Sequence, residues 1–338
     1  MIEYCDRETM VRDKGVAYYG VFSVDEAVID YWDMLDHGVN AILYAISEFD
    51  FYFWRSGIIK VIERAKEMGF KVYLSLWGWG GIFGEGPPSM YLQDHVKGRQ
   101  VSAIRDKPLC AACFNCEEFK NYLIASLKAL SEENDVDYFL LQGVGYKVLG
   151  DKDWSCRCEC CRTLFKEEYG YEMPKELTAD VMSFRKTKLI EFIKEISRAI
   201  KVADSKKRVA LCLPLELDVK LGIGDWSEVV AINEVDMLGM NLCREHILYE
   251  GGVERINTLV KSLKSKFDEK RKESVMLIQG FRIPKGRERE VVRVIKLSSA
   301  MSFTSIILWP YRAGENSSIE SGDPEKLWYL IGKTYREI

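Results

Sequence analysis

The chain has 338 residues, of which 47% are hydrophobic and 30% charged, and its formal net charge is −4. An apolar share of that size, with no run of the roughly 20 apolar residues that cross a bilayer, describes a globular chain with ample core and excludes a membrane span. Intermixed charges leave no basic stripe to neutralise phosphates, which excludes nucleic acid as the main partner; the basic run KSLKSKFDEKRKES (261–274) reads as the solvated end of a helix.

The first residues, MIEYCDRETMVRDKGVAYYG, carry charges where a secretory signal would be apolar, so a cytoplasmic location is expected. From there apolar, β-rich runs alternate with amphipathic segments to the end of the chain. GVAYYGVF (15–22) precedes a helix at 24–36, VNAILYAIS (39–47) one at 56–68, and FKVYLSLW (70–77) one at 117–133. VDYFLLQG (136–143) precedes a helix at 178–203, and RVALCLPL (208–215) one at 225–232. VDMLGMNL (235–242), SVMLIQGF (274–281) and SIILWPYR (305–312) precede helices at 252–268, 286–300 and 324–336. Ser23, Ser56, Thr178, Asp225 and Asp323 stand where N-caps belong.

Eight strand-then-helix units predict an α/β fold, a closed (β/α)8 TIM barrel forming one domain over 1–338. An open doubly wound sheet is the alternative, but no G-x-G-x-x-G follows the first strand. Two loops, 78–115 after strand three and 143–156 after strand four, exceed the usual few residues and lie on the face where barrel enzymes build their sites. Abundant Lys, Arg and Glu beside only three His point to a thermophilic source, in which intracellular disulfides occur.

The segment CRCECCRTLFKEEYG (156–170) packs four cysteines into six positions and runs into a helix. In a reducing compartment such spacing favours a metal over disulfides. Zinc needs four thiolates or imidazoles at about 2.0 to 2.3 Å, and Cys156, Cys158 and Cys161 can supply three from a turn at a helix N-terminus. The fourth ligand must come from elsewhere, and CAACFNCEEF offers Cys110, Cys113 and Cys116; a scatter of free or disulfide-bonded cysteines is the alternative. Cys212 and Cys243, in or just after apolar strands, read as small core residues.

Together, CFNCEEFKNYL (113–123) and CRCECCRTLFKEEYG resemble the paired cysteine segments of family 42 β-galactosidases and related glycoside-hydrolase-like barrels. The resemblance covers residues 70–175 in detail and the rest only as a barrel. It implies a structural zinc on Cys113, Cys156, Cys158 and Cys161, with Cys110, Cys116 and Cys160 as extra thiols. Four protein ligands leave no open coordination position, so such a metal braces rather than catalyses. The resemblance also implies catalytic carboxylates at the ends of strands four and seven. Here the sequence departs from the family, reading LLQGVGYK and LIQGFRIP, with Gln142-Gly143 in place of an Asn-Glu pair and Gln279 in place of the nucleophile. An amide can orient a hydroxyl but cannot shuttle a proton.

Other carboxylates near strand ends are Glu48, Asp50, Glu85, Glu216, Asp218, Glu245 and Glu315. Glu216 and Glu245, after adjacent strands five and six, are the expected acid and nucleophile or base, with Glu48 in reserve. Of the histidines, only His246 is a candidate on that face. The same rim is aromatic, and Trp79 and Trp309 are expected to stack on a sugar, while Trp77 is assigned to the barrel interior. Gln142, Asn241, Gln279, Arg282 and Arg312 are expected to bond its hydroxyls. These residues point to a carbohydrate-active barrel, a glycoside hydrolase relative; the alternatives are a sugar-binding barrel without catalysis or a barrel enzyme of other chemistry.

Overall fold

The computed structural model describes residues 11–84, 86–150, 152–243 and 252–338. The chain opens with β1 (Asp13–Tyr18), α1 (Val24–Asp36), β2 (Ala41–Ile46), α2 (Glu48–Phe53), α3 (Arg55–Glu67) and β3 (Lys71–Leu76). The long segment after β3 carries α4 (Met90–Asp94) and an antiparallel hairpin of β4 (Arg99–Val101) and β5 (Pro108–Ala112). Next come α5 (Glu117–Glu133), β6 (Tyr138–Gln142), α6 (Glu159–Tyr169), α7 (Ala179–Ala203) and β7 (Arg208–Pro214). The chain ends with α8 (Trp226–Val230), β8 (Met237–Leu242), α9 (Gly252–Glu269), β9 (Glu273–Gln279), α10 (Glu288–Ala300), β10 (Ser305–Trp309) and α11 (Pro324–Glu337).

Eight strands, all except β4 and β5, pair in parallel around a closed barrel, which shuts where β1 meets β10 with Val16 opposite Leu308. This is the (β/α)8 barrel that the alternating runs predict. Its strands read as near-continuous apolar runs because both faces are covered, by the interior on one side and the helices on the other. The helices follow their apolar spacing: α1 buries Ala27, Tyr31 and Met34 and leaves Trp32 60% exposed. Thr178, Asp225 and Asp323 cap their helices through side-chain bonds. Ser23 takes the cap position of α1 without such a bond, and Ser56 lies inside α3, which Trp54 precedes. No helix among the described residues is long and apolar enough to cross a membrane.

Alternate strand residues such as Leu43, Leu140, Cys212, Leu277 and Ile307 fill the barrel interior. Its N-terminal end is sealed by a polar floor. The rings of Tyr73 and Tyr138 stack 4.7 Å apart across it. Tyr73 donates to Asp13, and Glu273 pairs with both Arg12 and Arg208 at 2.9 Å. The opposite, C-terminal end is open, and there the strand alternation places the next inward residues: Trp77, Gln142, Asn241, Gln279 and Trp309.

Candidate functional site

A cavity of about 480 Å³ occupies the C-terminal mouth. Two indoles shape one side of it, with a tyrosine packed against both. Tyr19 lies 4.7 Å from Trp77 and 5.9 Å from Trp309 between ring centres, and the two indoles meet edge to face at 5.7 Å. Trp77 and Trp309 both line the cavity, presenting apolar π-surface, and Gln142, Asn241, Arg282 and Lys147 line it with polar groups. Asn241 Oδ1 accepts from the Cys243 amide at 2.8 Å, which fixes the side-chain amide at the cavity wall. The loop after β3 comes in closely because of its glycines: the Gly84 amide donates to the Gln142 carbonyl at 2.9 Å, and a Cβ on Gly86 would sit 2.1 Å from the Trp77 indole nitrogen.

The structure sorts the candidate ligand residues into two groups. Gln142, Asn241, Arg282 and Trp309 line the cavity; Trp79, Gln279 and Arg312 do not. Trp79 is fully buried outside the barrel mouth, its Nε1 donating to the Ile46 carbonyl at 2.9 Å. The strand ends at Leu76 and the chain turns at Gly78, whose φ is 76°, so Trp79 folds under the loop and Trp77 takes the place on the cavity. That corrects the Trp79 assignment; Trp77 packs on the barrel interior as expected and lines the cavity as well. Arg312 turns away to Asp33 and Glu315, at 3.4 and 3.7 Å. Gln279 is fully buried, its Nε2 donating to the Phe281 carbonyl at 3.0 Å and its Oε1 without a partner among the described residues.

No carboxylate is among the described residues lining the cavity. Glu48 is 1% exposed and its oxygens accept from the amides of Gly80 and Tyr91 at 2.7 and 2.8 Å and from the Ser89 hydroxyl at 2.9 Å. It organises the loop after β3 instead of facing the mouth, a correction to its reserve role. Asp50 and Asp218 bond backbone amides at helix starts. Glu216 is exposed on the segment after β7. Glu245, Glu85, His246 and Cys5 lie outside the described residues.

Beside the mouth, Cys113, Cys156, Cys158 and Cys161 converge. All four are buried, and their Sγ atoms lie within 4.8 Å of one another. Cys113 sits 3.5 Å from both Cys158 and Cys161. Four sulfurs at about 2.3 Å from one tetrahedral ion would stand roughly 3.8 Å apart, so the donor set fits such an ion. N–H groups are aimed at the sulfurs as they are at thiolates: the Val101 and Cys158 amides point at Cys156 (3.3 and 3.4 Å) and Asn115 Nδ2 at Cys161 (3.2 Å). Hydrogen bonds from Cys113, Cys156 and Cys161 push the Cys158 thiol well down, whereas Cys113 is pushed up by its bonds with Cys156, Cys158 and Cys161 and by burial. One thiolate hinders the next, and a divalent cation relieves that repulsion.

The guanidinium of Arg185 adds to the case. It is fully buried, donating to the Val219 and Lys220 carbonyls at 3.0 and 2.7 Å, with no ion-pair partner among the described residues. It lies over the Tyr146 ring at 4.4 Å, and attraction to Tyr146, Cys161 and Cys156 offsets part of its desolvation. Four thiolates around a divalent ion carry two net negative charges, which a buried guanidinium complements. Asn115 Nδ2 also donates to the Tyr146 hydroxyl at 3.2 Å, and Tyr146 lines the mouth, so the cysteine centre is bonded to the cavity wall. Cys116 and Cys160, expected as extra thiols, are instead joined as a disulfide.

Comparison with solved structures identifies this architecture. The chain superimposes on a β-galactosidase from the Antarctic haloarchaeon Halorubrum lacusprofundi with a TM-score of 0.72 at 13% identity, covering 96% of this chain and 58% of that one. The fold the two share is the (β/α)8 barrel. A family 42 β-galactosidase from G. stearothermophilus gives 0.70 at 12% identity, with 97% and 57% covered. The endo-1,4-β-mannanase from Rhizomucor miehei gives 0.64 at 13% identity, with 97% and 96% covered. The chain therefore spans somewhat over half the length of those β-galactosidases and nearly the whole of the mannanase. No family model matches the chain, and no curated protein sequence does.

On this glycoside-hydrolase-like barrel, strands four and seven are β6 and β9, and they end in Gln142 and Gln279. Sequence reasoning missed Tyr19 and Lys147. The signal for Tyr19 was present: it follows inward-facing Ala17 by two residues, the same parity that carries Trp77 into the mouth two positions beyond Ser75.

Proposed function

We propose that the barrel mouth binds a carbohydrate. The observation that carries this is the pairing of Trp77 and Trp309 with the polar groups of Gln142, Asn241 and Arg282 around one cavity. Sugar rings offer apolar C–H faces to an indole and hydroxyls to amides and guanidinium groups, so both kinds of surface are used at once. The four buried cysteines would hold a structural zinc, fixing the hairpin side of the mouth to the start of α6.

A second reading, hydrolysis of the bound sugar, is favoured by the likeness to glycosidase barrels. Cleavage needs an acid to protonate the leaving oxygen and a second carboxylate about 5 to 5.5 Å away for retention, or about 6.5 to 9.5 Å for inversion. Gln142 and Gln279 serve neither role, so the pair proposed is Glu216 and Glu245. The test is a panel of aryl glycosides and oligosaccharides, scored for binding by titration calorimetry and for cleavage, with wild type, Glu216→Gln and Glu245→Gln. Binding without cleavage supports the binding reading; cleavage lost in both variants supports the hydrolase. Cleavage retained by both discards that carboxylate pair, and no binding across the panel discards the carbohydrate reading.

A further inference from the structure

A second group of sulfurs lies against the four-cysteine centre. Cys116 is the cap residue of α5 and Cys160 lies in the first turn of α6; the disulfide joining them has its Cα atoms 5.6 Å apart. The Sγ atoms of Cys116, Cys160 and Cys158 lie within 4.8 Å of one another, so Cys158 belongs to both groups. The disulfide borders a groove of about 610 Å³ on the outside of the barrel, between α5, α6 and α7, lined also by Phe114, Leu164, Lys120 and Lys188. Cys160 is partly exposed, whereas Cys116 and Cys158 are buried.

We propose that Cys116, Cys158 and Cys160 form a second metal position that the disulfide closes and its reduction opens. In the oxidised chain the sulfurs of Cys116 and Cys160 are bonded to each other, and Cys158 serves the four-cysteine centre alone. A small dithiol has room in the groove to reach Cys160. Its thiolate attacks Cys160 Sγ, forming a mixed disulfide and expelling Cys116 as a thiolate beside the first-turn amides of α5. The second thiolate of the reagent then displaces Cys160, and the reagent departs as its own cyclic disulfide. Two electrons and two protons have passed to the cysteine pair. Three soft donors now face one point, the set that a thiophilic closed-shell cation such as Zn²⁺ selects, with Cys158 bridging to the first ion. Reduction alone, with no change of fold, would then convert a one-ion centre into a two-ion centre.

Native mass spectrometry of the full chain after incubation with Zn²⁺ and desalting, with and without a phosphine reductant, tests this. The expected result is one more zinc per chain after reduction than before it. A Cys116→Ser/Cys160→Ser chain should show the same count in both conditions. Equal counts in reduced and oxidised wild type would overturn the proposal, as would a gain on reduction in the double variant. Should that variant fail to fold, alkylation of reduced wild type decides: zinc should protect Cys116 and Cys160, and equal labelling with and without zinc rejects the site. The carbohydrate reading plays no part in this count, and an empty four-cysteine centre would show as zero zinc in the oxidised chain, separate from the increment.

Discussion

Cys113 and Cys161 stand 48 residues apart in the chain, and their sulfurs lie 3.5 Å apart in the fold. The contact joins the end of the β4–β5 hairpin to the first turn of α6, beside the Arg157 amide that donates to the Val101 carbonyl at 2.9 Å and the Cys116–Cys160 disulfide. Elemental analysis of chain purified without chelator should give about one zinc per chain. Cys113→Ser should lower the content to well under half and reduce Tm, and a strong chelator should reproduce that loss in wild type. Full zinc in the variant would remove the centre as described.

Trp309, which lines the cavity, and Trp79, which does not, should differ in their effect on sugar affinity. Trp309→Ala removes a stacking face of about 1 kcal/mol, so sugar affinity should fall roughly fivefold, and because Trp309 is only 7% exposed and packs on Tyr19 and Trp77, stability should fall as well. Trp79→Ala empties a fully buried site and should cost about 3–5 kcal/mol in denaturant unfolding while leaving affinity in the folded fraction unchanged. Calorimetric titration and urea denaturation of both variants separate the roles.

Glu48 is a structural acceptor. Glu48→Ala leaves the Gly80 and Tyr91 amides and the Ser89 hydroxyl without their acceptor in a buried site. At about 1–3 kcal/mol for each orphaned group, the loss should reach at least about 3 kcal/mol. Wild-type stability in the variant, read from its unfolding midpoint, would show that these bonds are replaced.

Asp137 sets part of the acid limit of stability. Burial raises its pKa, but the bonds from Lys66 and the Val72 amide, both 2.8 Å, and from Lys71 outweigh burial and hold it below the usual value of 3.8. A carboxylate depressed in the folded chain stabilises it fully above the unfolded value, and that contribution is lost as pH falls through the folded value. Asp137→Asn should therefore lower stability at neutral pH and flatten the decline below about pH 4. Parallel stability-against-pH curves for wild type and variant would contradict the assignment.

Much of this molecule is legible in its residues, for reasons that differ by level. The helices at 24–36 and 117–133 coincide with α1 and α5 because a long apolar stripe and a following break define a helix locally. EFDFYF was not read as helix α2, because its phenylalanines include Phe49 and Phe53, which are exposed and obey no buried periodicity. The hairpin inside 78–115 and the fate of Trp79 depend on where the chain turns, at Gly78 and onto Glu48. Nothing in the spacing W-G-W announces those contacts. The four metal-fitting cysteines were assigned through a resemblance between two segments, whereas the Cys116–Cys160 pairing depends on how the two helix starts meet, which no local pattern encodes.

The polar floor formed by Arg12, Asp13, Tyr73, Tyr138, Arg208 and Glu273 limits how a ligand can travel. With packed side chains above it and charged pairs tying the strands together below, the described residues form a cup that opens at the C-terminal end. A long polymer cannot thread through it. If the proposed ligand is such a chain, it would either lie across the rim with a few units dipping toward the paired rings of Trp77 and Trp309, or enter by one end and leave by the way it came.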